Sequence, residues 1–419
     1  MTAALVTELV REYRARTPGS RNAFRRATAV LPGGETRTIT FHAPYPVFLV
    51  EGHGSRLLDA DGNTYVDLVN NYTALVHGNA YPPAVAAASA VLTRGSVFAG
   101  PHDRQLELAE LITGRIPGAE LVRFTSSGTE ASMLAARLAR HATGRTRFVV
   151  FDGSYHGSSP MLTEGPDVVT VAYNDVDALR EALTDDVAAV FAEPFLGVGG
   201  VIPARPDFLW AIAELACARG VLFVLDEVQS LRNGVGGEQG RLGLVPDITV
   251  MGKLIGGGLP IGAVGGAADL MNQTAASTAG HLTHSGTNNG NLAAAAAGAV
   301  TMRDLDAQAI DRLDHAASRL ADAITDAAAG AGLPVTVTRA GSILNVHFTG
   351  TAPQNARDAA AAAGTPLLAA LHLALLIDGT YTTPRGMINL STALDEADLT
   401  RAAQAYARAF DRLAAATKP

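Results

Sequence analysis

Between residues 121 and 267, short runs of continuously apolar, β-branched residues alternate with helical stretches. No other feature of the chain constrains its fold as strongly. The runs are LVRFTS (121–126), RFVVFDG (147–153), VAAVFAEP (187–194), VLFVLDEV (221–228), DITVMGK (247–253) and GAVGGA (262–267). Strands that are apolar along their whole length are covered on both faces. EASMLAARLARHATG and PDFLWAIAELACARG lie between them and read as helices. This alternation predicts an α/β chain built on an open, mostly parallel sheet. Ligands of such sheets gather at the carboxyl ends of the strands.

The pattern changes from about residue 303 to long Ala/Leu helices with two short strands, SILNVHF and GMINLST. That change predicts a smaller α+β domain. Residues 45–69 read as a hairpin with turns at Gly52–Gly54 and at Asp61-Gly62. The expected division is an N-terminal segment 1–69 packing with the small domain, a large domain 70–302 and a small domain 303–419.

Composition excludes several classes of function. The net charge is −8 without a basic stripe, which argues against nucleic acid as a partner. Glu8, Arg11, Glu12 and Arg14 break up the N-terminus, so it does not read as a signal peptide. The Ala run from Leu292 to Val300 is too short to span a bilayer. A cytoplasmic protein is expected, with no membrane partner. The single cysteine, Cys217, excludes an internal disulfide and reads as a buried core thiol on a helix face. His281 and His284 are three apart but lack a carboxylate pattern, so no metal site is expected.

The strand ends carry the chemistry. Ser126-Ser127-Gly128-Thr129-Glu130 stands between a strand and a helix. Backbone NH groups and the helix dipole make such a place an anion site suited to phosphate. The same residues also read as a capping box, with Ser127 or Thr129 as N-cap. Tyr155 and His156 follow the next strand, and an aromatic ring there can stack on a planar heterocycle. Asp226 and Glu227 end the strand VLFVLDEV. The chain holds no glycine-lysine loop for a nucleotide triphosphate, and GVGGVIP (197–203) lacks dinucleotide-loop spacing.

Lysine occurs only at Lys253 and Lys418, although arginine is frequent. Lys418, near the C-terminus, reads as solvated. Lys253 ends the next strand and precedes Gly256-Gly257-Gly258, which let backbone approach a bound group. A surface charge there could be arginine; an amine that must lose its proton could not. A phosphate cradle, an aromatic plate, an acid for a pyridine nitrogen and a lysine for an aldehyde are the four things pyridoxal 5′-phosphate (PLP) needs.

Across nearly its whole length the sequence resembles the class III aminotransferases of PLP fold type I. LDEVQSLR followed by PDITVMGKLIGGGLPIGAVGG is highly specific for that family. SSGTEASMLAARLAR, SYHG, AEP and HSGTNNGN occur in the expected order. Within the class it is similar to glutamate-1-semialdehyde aminomutases. It is more similar to β-amino acid aminotransferases of the β-phenylalanine type, through LPGGETRTITFHAPYPVF, NYTALVHG, HSGT and YTTPRG. The resemblance implies a Schiff base of the cofactor on Lys253 and an ion pair of Asp226 with the pyridine nitrogen. It implies Tyr155 and Val228 on the two ring faces, and Ser127, Gly128 and Thr129 on the phosphate. Glu193 and Gln229 match positions near the ring. Thr287 would reach the phosphate of a neighbouring subunit, giving a homodimer with shared active sites. After DEVQ the chain reads SLRNG where many members read TGFGR.

For substrates, the resemblance implies a small-molecule amino donor and a keto-acid acceptor. Arg37, in ETRT, and Arg385, in TTPRG, are the candidates for carboxylate recognition, which arginine performs as a bidentate fork. Tyr72 would line the same pocket. A β-amino acid donor with 2-oxoglutarate or pyruvate as acceptor is expected; the alternative is an aminomutase that moves the amine within one molecule.

Overall fold

A computed structural model describes residues 2–417. Lys418 lies outside the described residues. The central sheet has seven strands, in the spatial order Leu121–Thr125, Gly262–Gly266, Ile248–Gly252, Leu222–Asp226, Val187–Ala192, Arg147–Phe151, Val168–Val171. All six expected runs form strands. Val187–Ala192 is buried along its whole length, which is why it reads as an unbroken apolar run. Each such valine or phenylalanine contributes about 1.5–3 kcal/mol when withdrawn from water.

Gly262–Gly266 runs antiparallel to both of its neighbours. A parallel return requires a crossover of about a dozen residues or more, and the loop 253–261 is too short for one. It is also a strand of small residues. A Cβ on Gly262 would stand 2.1 Å from the Ser127 carbonyl oxygen, so glycine lets the turn before the next helix lie close against the sheet.

That helix, Gly128–Thr143, begins at Ser127 and stops at Gly144, whose φ of 69° ends it in the left-handed conformation. Ala131, Leu134, Ala135, Leu138 and Ala139 are buried, the i, i+3, i+4, i+7, i+8 stripe of a helix lying on a sheet. On the helix Phe208–Ala218 the buried stripe is Phe208, Leu209, Ile212 and Ala216. Cys217 follows Ala216 by one residue, is turned off that stripe, and is exposed. The expected core thiol is therefore a surface thiol.

Residues 45–69 form a three-stranded antiparallel meander, Leu49–His53, Arg56–Asp59 and Thr64–Asp67. Its last strand pairs in parallel with Thr380–Tyr381. A second small sheet joins Thr336–Ala340, Ile343–His347 and Met387–Asn389. One core runs from Leu9 and Tyr13 of the first helix through Leu68 and Ile255 to Leu320 and Phe410 of the C-terminal helices.

The alanine run 293–297 lies buried in the helix Leu292–Asp304. On this helix a Cβ at Gly298 would fall 1.8 Å from the carbonyl oxygen of Ile255, in the turn that follows Lys253. Among the described residues no single helix is long and apolar enough to cross a membrane.

Candidate active site

Lys253 follows directly on the strand Ile248–Gly252 and begins a short 3-10 turn, Lys253–Gly256. Its φ is +47°, in the left-handed region that side chains other than glycine's rarely occupy. Strain of this kind collects at functional positions and persists where packing enforces it. Here the surrounding packing is the buried helix Leu292–Asp304. Burial pushes the lysine amine below its ordinary pKa, against the opposing pull of Asp226 and Glu193.

Asp226 ends the neighbouring parallel strand and is 5% exposed. Its Oδ2 accepts a 2.8 Å hydrogen bond from His156 Nδ1, and its Oδ1 accepts from the Val228 backbone NH at 3.0 Å. Burial alone would lower the pKa of His156, but the bond to Asp226 and the charges of Asp226 and Glu193 raise it. The imidazole Nε2 is buried without a partner. Glu193 is also buried. Desolvation, opposed in part by His156, carries its carboxyl up to about 7. It accepts from the Tyr155 backbone NH at 3.0 Å and from the Gly197 NH at 3.3 Å, and so fixes the start of the Tyr155–Gly157 loop. The Tyr155 ring itself is half-exposed, 51%.

The helix Gly128–Thr143 closes the site. Ser127 is its N-cap, accepting from the Glu130 NH at 3.2 Å, but the Glu130 carboxylate accepts from the Ser126 NH at 2.9 Å, so the cap forms without the reciprocal bond of a capping box. Capping leaves the anion reading intact, because the first NH groups of a helix have no partner within it. A Cβ on Gly157 would come within 2.5 Å of Thr129 Oγ1, which places the tyrosine loop against this helix end. Val228 packs on the other side, 3.2 Å from where a Cβ on Gly128 would be. Gln229 donates weakly to the Met387 sulfur at 3.6 Å. Thr287 is exposed on a loop whose Asn289 reaches Ser126 at 3.3 Å.

The chain matches the family model for aminotransferase class-III over residues 40–163 and 160–376. It belongs to the class III aminotransferases. Among curated relatives of this class III enzyme, glutamate-1-semialdehyde 2,1-aminomutase 2 of Brevibacillus brevis is 38% identical, covering 79% of the chain and 84% of the relative. Among solved structures, a β-phenylalanine aminotransferase from Variovorax paradoxus superposes with a TM-score of 0.91 at 34% identity, covering 97% of each chain. A transaminase with PLP bound superposes with a TM-score of 0.87 at 34% identity, covering 96% of this chain and 99% of its own. The cofactor of this class III aminotransferase is PLP. The residues present fit it: a lone amine of lowered pKa, a buried carboxylate hydrogen-bonded to a buried histidine, a half-exposed ring and a helix N-terminus.

Arg37 lies over Tyr72, and Arg385 acts on the same tyrosine through its charge. The Arg37 guanidinium lies 5.8 Å from the Tyr72 ring centroid and donates to Asn71 Oδ1 at 2.8 Å. Burial raises the Tyr72 phenol pKa, while the charges of Arg37 and Arg385 both act to lower it. Tyr72 donates to the Ile39 carbonyl at 3.2 Å and packs beside Phe195 and Met387. Among the described residues neither arginine forms an ion pair with a protein carboxylate. Four consecutive residues, Asn70 to Thr73, have positive φ, between 45° and 76°. The sequence motifs pointed to Tyr72 but not to this twist or to Asn71. His156 was legible only as a histidine at a strand end; its bond to Asp226 joins strands that are apart in sequence. A cavity of about 450 Å³, between Arg205, Glu238, Asp314 and Arg339, includes none of the residues named for the cofactor.

Proposed function

We propose that this enzyme moves an amino group from a β-amino acid of the β-phenylalanine kind to a keto acid such as 2-oxoglutarate or pyruvate. One observation carries the reading: the charges of two arginines from distant segments both act on one tyrosine, and among the described residues neither forms an ion pair with a protein carboxylate. In a β-amino acid the amine is one carbon further from the carboxylate than in an α-amino acid. With the amine fixed at the cofactor, the two carboxylates land in different places. Arg37 binds the carboxylate of the β-amino acid, and Arg385 that of the keto acid.

When bound, PLP supplies an electron sink for the charge left as a proton leaves the carbon bearing the amine. Lys253 holds the cofactor and moves that proton through its Nζ, which its lowered pKa suits to accept it. Asp226 holds a proton on the pyridine nitrogen, and His156 holds Asp226. Tyr155 and Val228 would hold the ring, with Glu193 and Gln229 near it. Ser127, Gly128 and Thr129 bind the phosphate, joined by Thr287 of the partner subunit in a homodimer. The same reading treats 1–69, 70–302 and 303–419 as units and places the enzyme in the cytoplasm.

A charge-assisted hydrogen bond is worth roughly 1.5–3 kcal/mol. Arg37→Ala is therefore expected to lower kcat/KM for β-phenylalanine by roughly ten- to a hundredfold, and Arg385→Ala to lower that of 2-oxoglutarate or pyruvate similarly. Steady-state kinetics with β-phenylalanine, 3-aminobutanoate, α-amino acids and simple amines tests this. The second reading is favoured by the aminomutase relative. If glutamate-1-semialdehyde is isomerised without an acceptor and every β-amino acid is ignored, that reading replaces the first.

The shared site has its own test. A dimer of one Lys253→Ala and one Thr287→Ala subunit should hold one site with both lesions and one with neither. Its active site should bind PLP as tightly as wild type. If that site shows the weakened affinity of the Thr287→Ala homodimer, the sites are not shared.

A further inference from the structure

The segment Asn70 to Thr73 is a left-handed turn made of four residues, none of them glycine. Each such φ is strained for a residue with a Cβ, most of all for the β-branched Thr73 at 76°. A turn of this kind persists only where its surroundings over-determine it. Here a buried polar clamp does so. Asp67 accepts from the backbone NH groups of Val69 at 2.8 Å and Asn70 at 2.9 Å, and its other oxygen accepts from the Asn79 side chain at 2.8 Å. Asn389 arrives from the C-terminal part of the chain. Its backbone NH donates to the Leu68 carbonyl at 2.7 Å and its side chain to the Val69 carbonyl at 3.1 Å.

Asn70 closes the clamp. Its side-chain NH2 donates to the Asn389 carbonyl at 2.6 Å and to the Asp67 carbonyl at 3.3 Å. The residue is fully buried, and its Oδ1 has no partner. A buried acceptor left unmatched is costly, so packing alone does not account for an asparagine at this place. Two properties do: an NH2 group that reaches Asn389, and the tolerance of asparagine for positive φ.

The turn is what Arg37 rests on. Asn71 Oδ1 accepts from the Arg37 guanidinium at 2.8 Å, and among the described residues this is the only hydrogen bond of the Arg37 side chain. The Tyr72 ring lies under the same guanidinium, and its hydroxyl donates to the carbonyl of Ile39, two residues beyond Arg37. Were the backbone at 70–73 to relax to negative φ, Asn71 and Tyr72 would turn away and Arg37 would lose both contacts.

We propose that Asn70 is a positioning residue for Arg37: it holds the left-handed turn, and the turn sets the guanidinium through Asn71 and Tyr72. That this guanidinium receives the carboxylate of the amino donor rests on the β-amino acid reading above. Asn70 is buried behind the turn and acts only through it.

The test compares Asn70→Ala with Asn70→Gly in the PLP-loaded enzyme. Alanine loses the clamp and keeps the strain; glycine loses the clamp but takes positive φ freely. KM for β-phenylalanine should rise about tenfold in Asn70→Ala and clearly less in Asn70→Gly. In both variants kcat and the visible absorption of the cofactor should stay as in wild type, as expected when only binding is lost. A side chain that merely fills space predicts the opposite order, because glycine removes more of it. An equal or reversed order, or a loss that falls on kcat, overturns the proposal. Crystal structures of the variants read the turn directly. In Asn70→Ala residues 70–73 should leave the left-handed region and the bond between Arg37 and Asn71 should be broken; an unchanged turn overturns the proposal. If Asn70→Ala does not fold, Asn70→Ser, which cannot reach Asn389, takes its place in both measurements. If wild type converts no β-amino acid, or Arg37→Ala leaves KM for β-phenylalanine unmoved, the donor reading fails. The crystal structures then judge the clamp alone.

Discussion

Lys253→Ala is expected to abolish turnover and the visible absorption of the bound cofactor. The expectation follows from the scarcity of lysine as much as from position. Among the described residues Lys253 is the only side-chain amine, so no neighbour can replace it. The loss should exceed about 10²–10⁴-fold, because the variant loses both the proton carrier, worth about that much alone, and the group that holds the cofactor. Lys253→Arg should be equally inactive, because a guanidinium keeps the charge and cannot release its proton near neutrality. Absorption spectra and single-turnover kinetics of both variants decide the matter. Normal activity in either would show that another group holds the cofactor.

Asp226→Asn preserves shape and removes charge. Breaking a buried ion pair by removing one partner costs about 3–5 kcal/mol, and the loss should appear in the amine half-reaction, where charge develops on the cofactor. Stopped-flow rates of that half-reaction should fall by roughly two to four orders of magnitude, the kinetic equivalent of that energy. An unchanged rate would remove Asp226 from its role.

The same variant has a second signature. His156 has a raised pKa in the fold because Asp226 and Glu193 outweigh its burial. A group of raised pKa stabilises the fold fully below its unfolded value, and that contribution is lost as pH rises through the folded value. Wild type should therefore lose thermal stability as pH rises through that window. Asp226→Asn should show a weaker dependence there, as melting temperatures measured across the window will report.

The large sheet was legible because its strands are covered on both faces and so must be apolar throughout. Val168–Val171 escaped notice for the opposite reason: it is an edge strand, partly exposed, and pairs only with Arg147–Phe151. The direction of Gly262–Gly266 was hidden in the same way, because side-chain periodicity carries no sign of strand polarity. Lys253, Asp226 and the turn at Ser127 could be read from sequence because each sits at a strand end, Lys253 and Ser127 with a glycine beside them. The pairings across the site could not. His156 reaches Asp226 over an intervening strand, and Asn70 meets Asn389 only once distant parts of the chain have packed together. Cys217 illustrates the precision needed: one residue along a helix separates the core face from solvent.

The contact between Gly298 and the Ile255 carbonyl bears on how such an enzyme can be recombined with its relatives. The helix and the lysine's turn are shaped to each other at a distance that leaves no room for a methyl group. Any parent whose helix carries a side chain in place of Gly298 would push the lysine's turn aside, so the turn needs a helix with glycine at that position. Chimeras whose breakpoints fall between residues 256 and 297 draw the halves of that contact from different parents. Breakpoints outside it exchange the Arg37 and Arg385 segments freely while the lysine keeps its place.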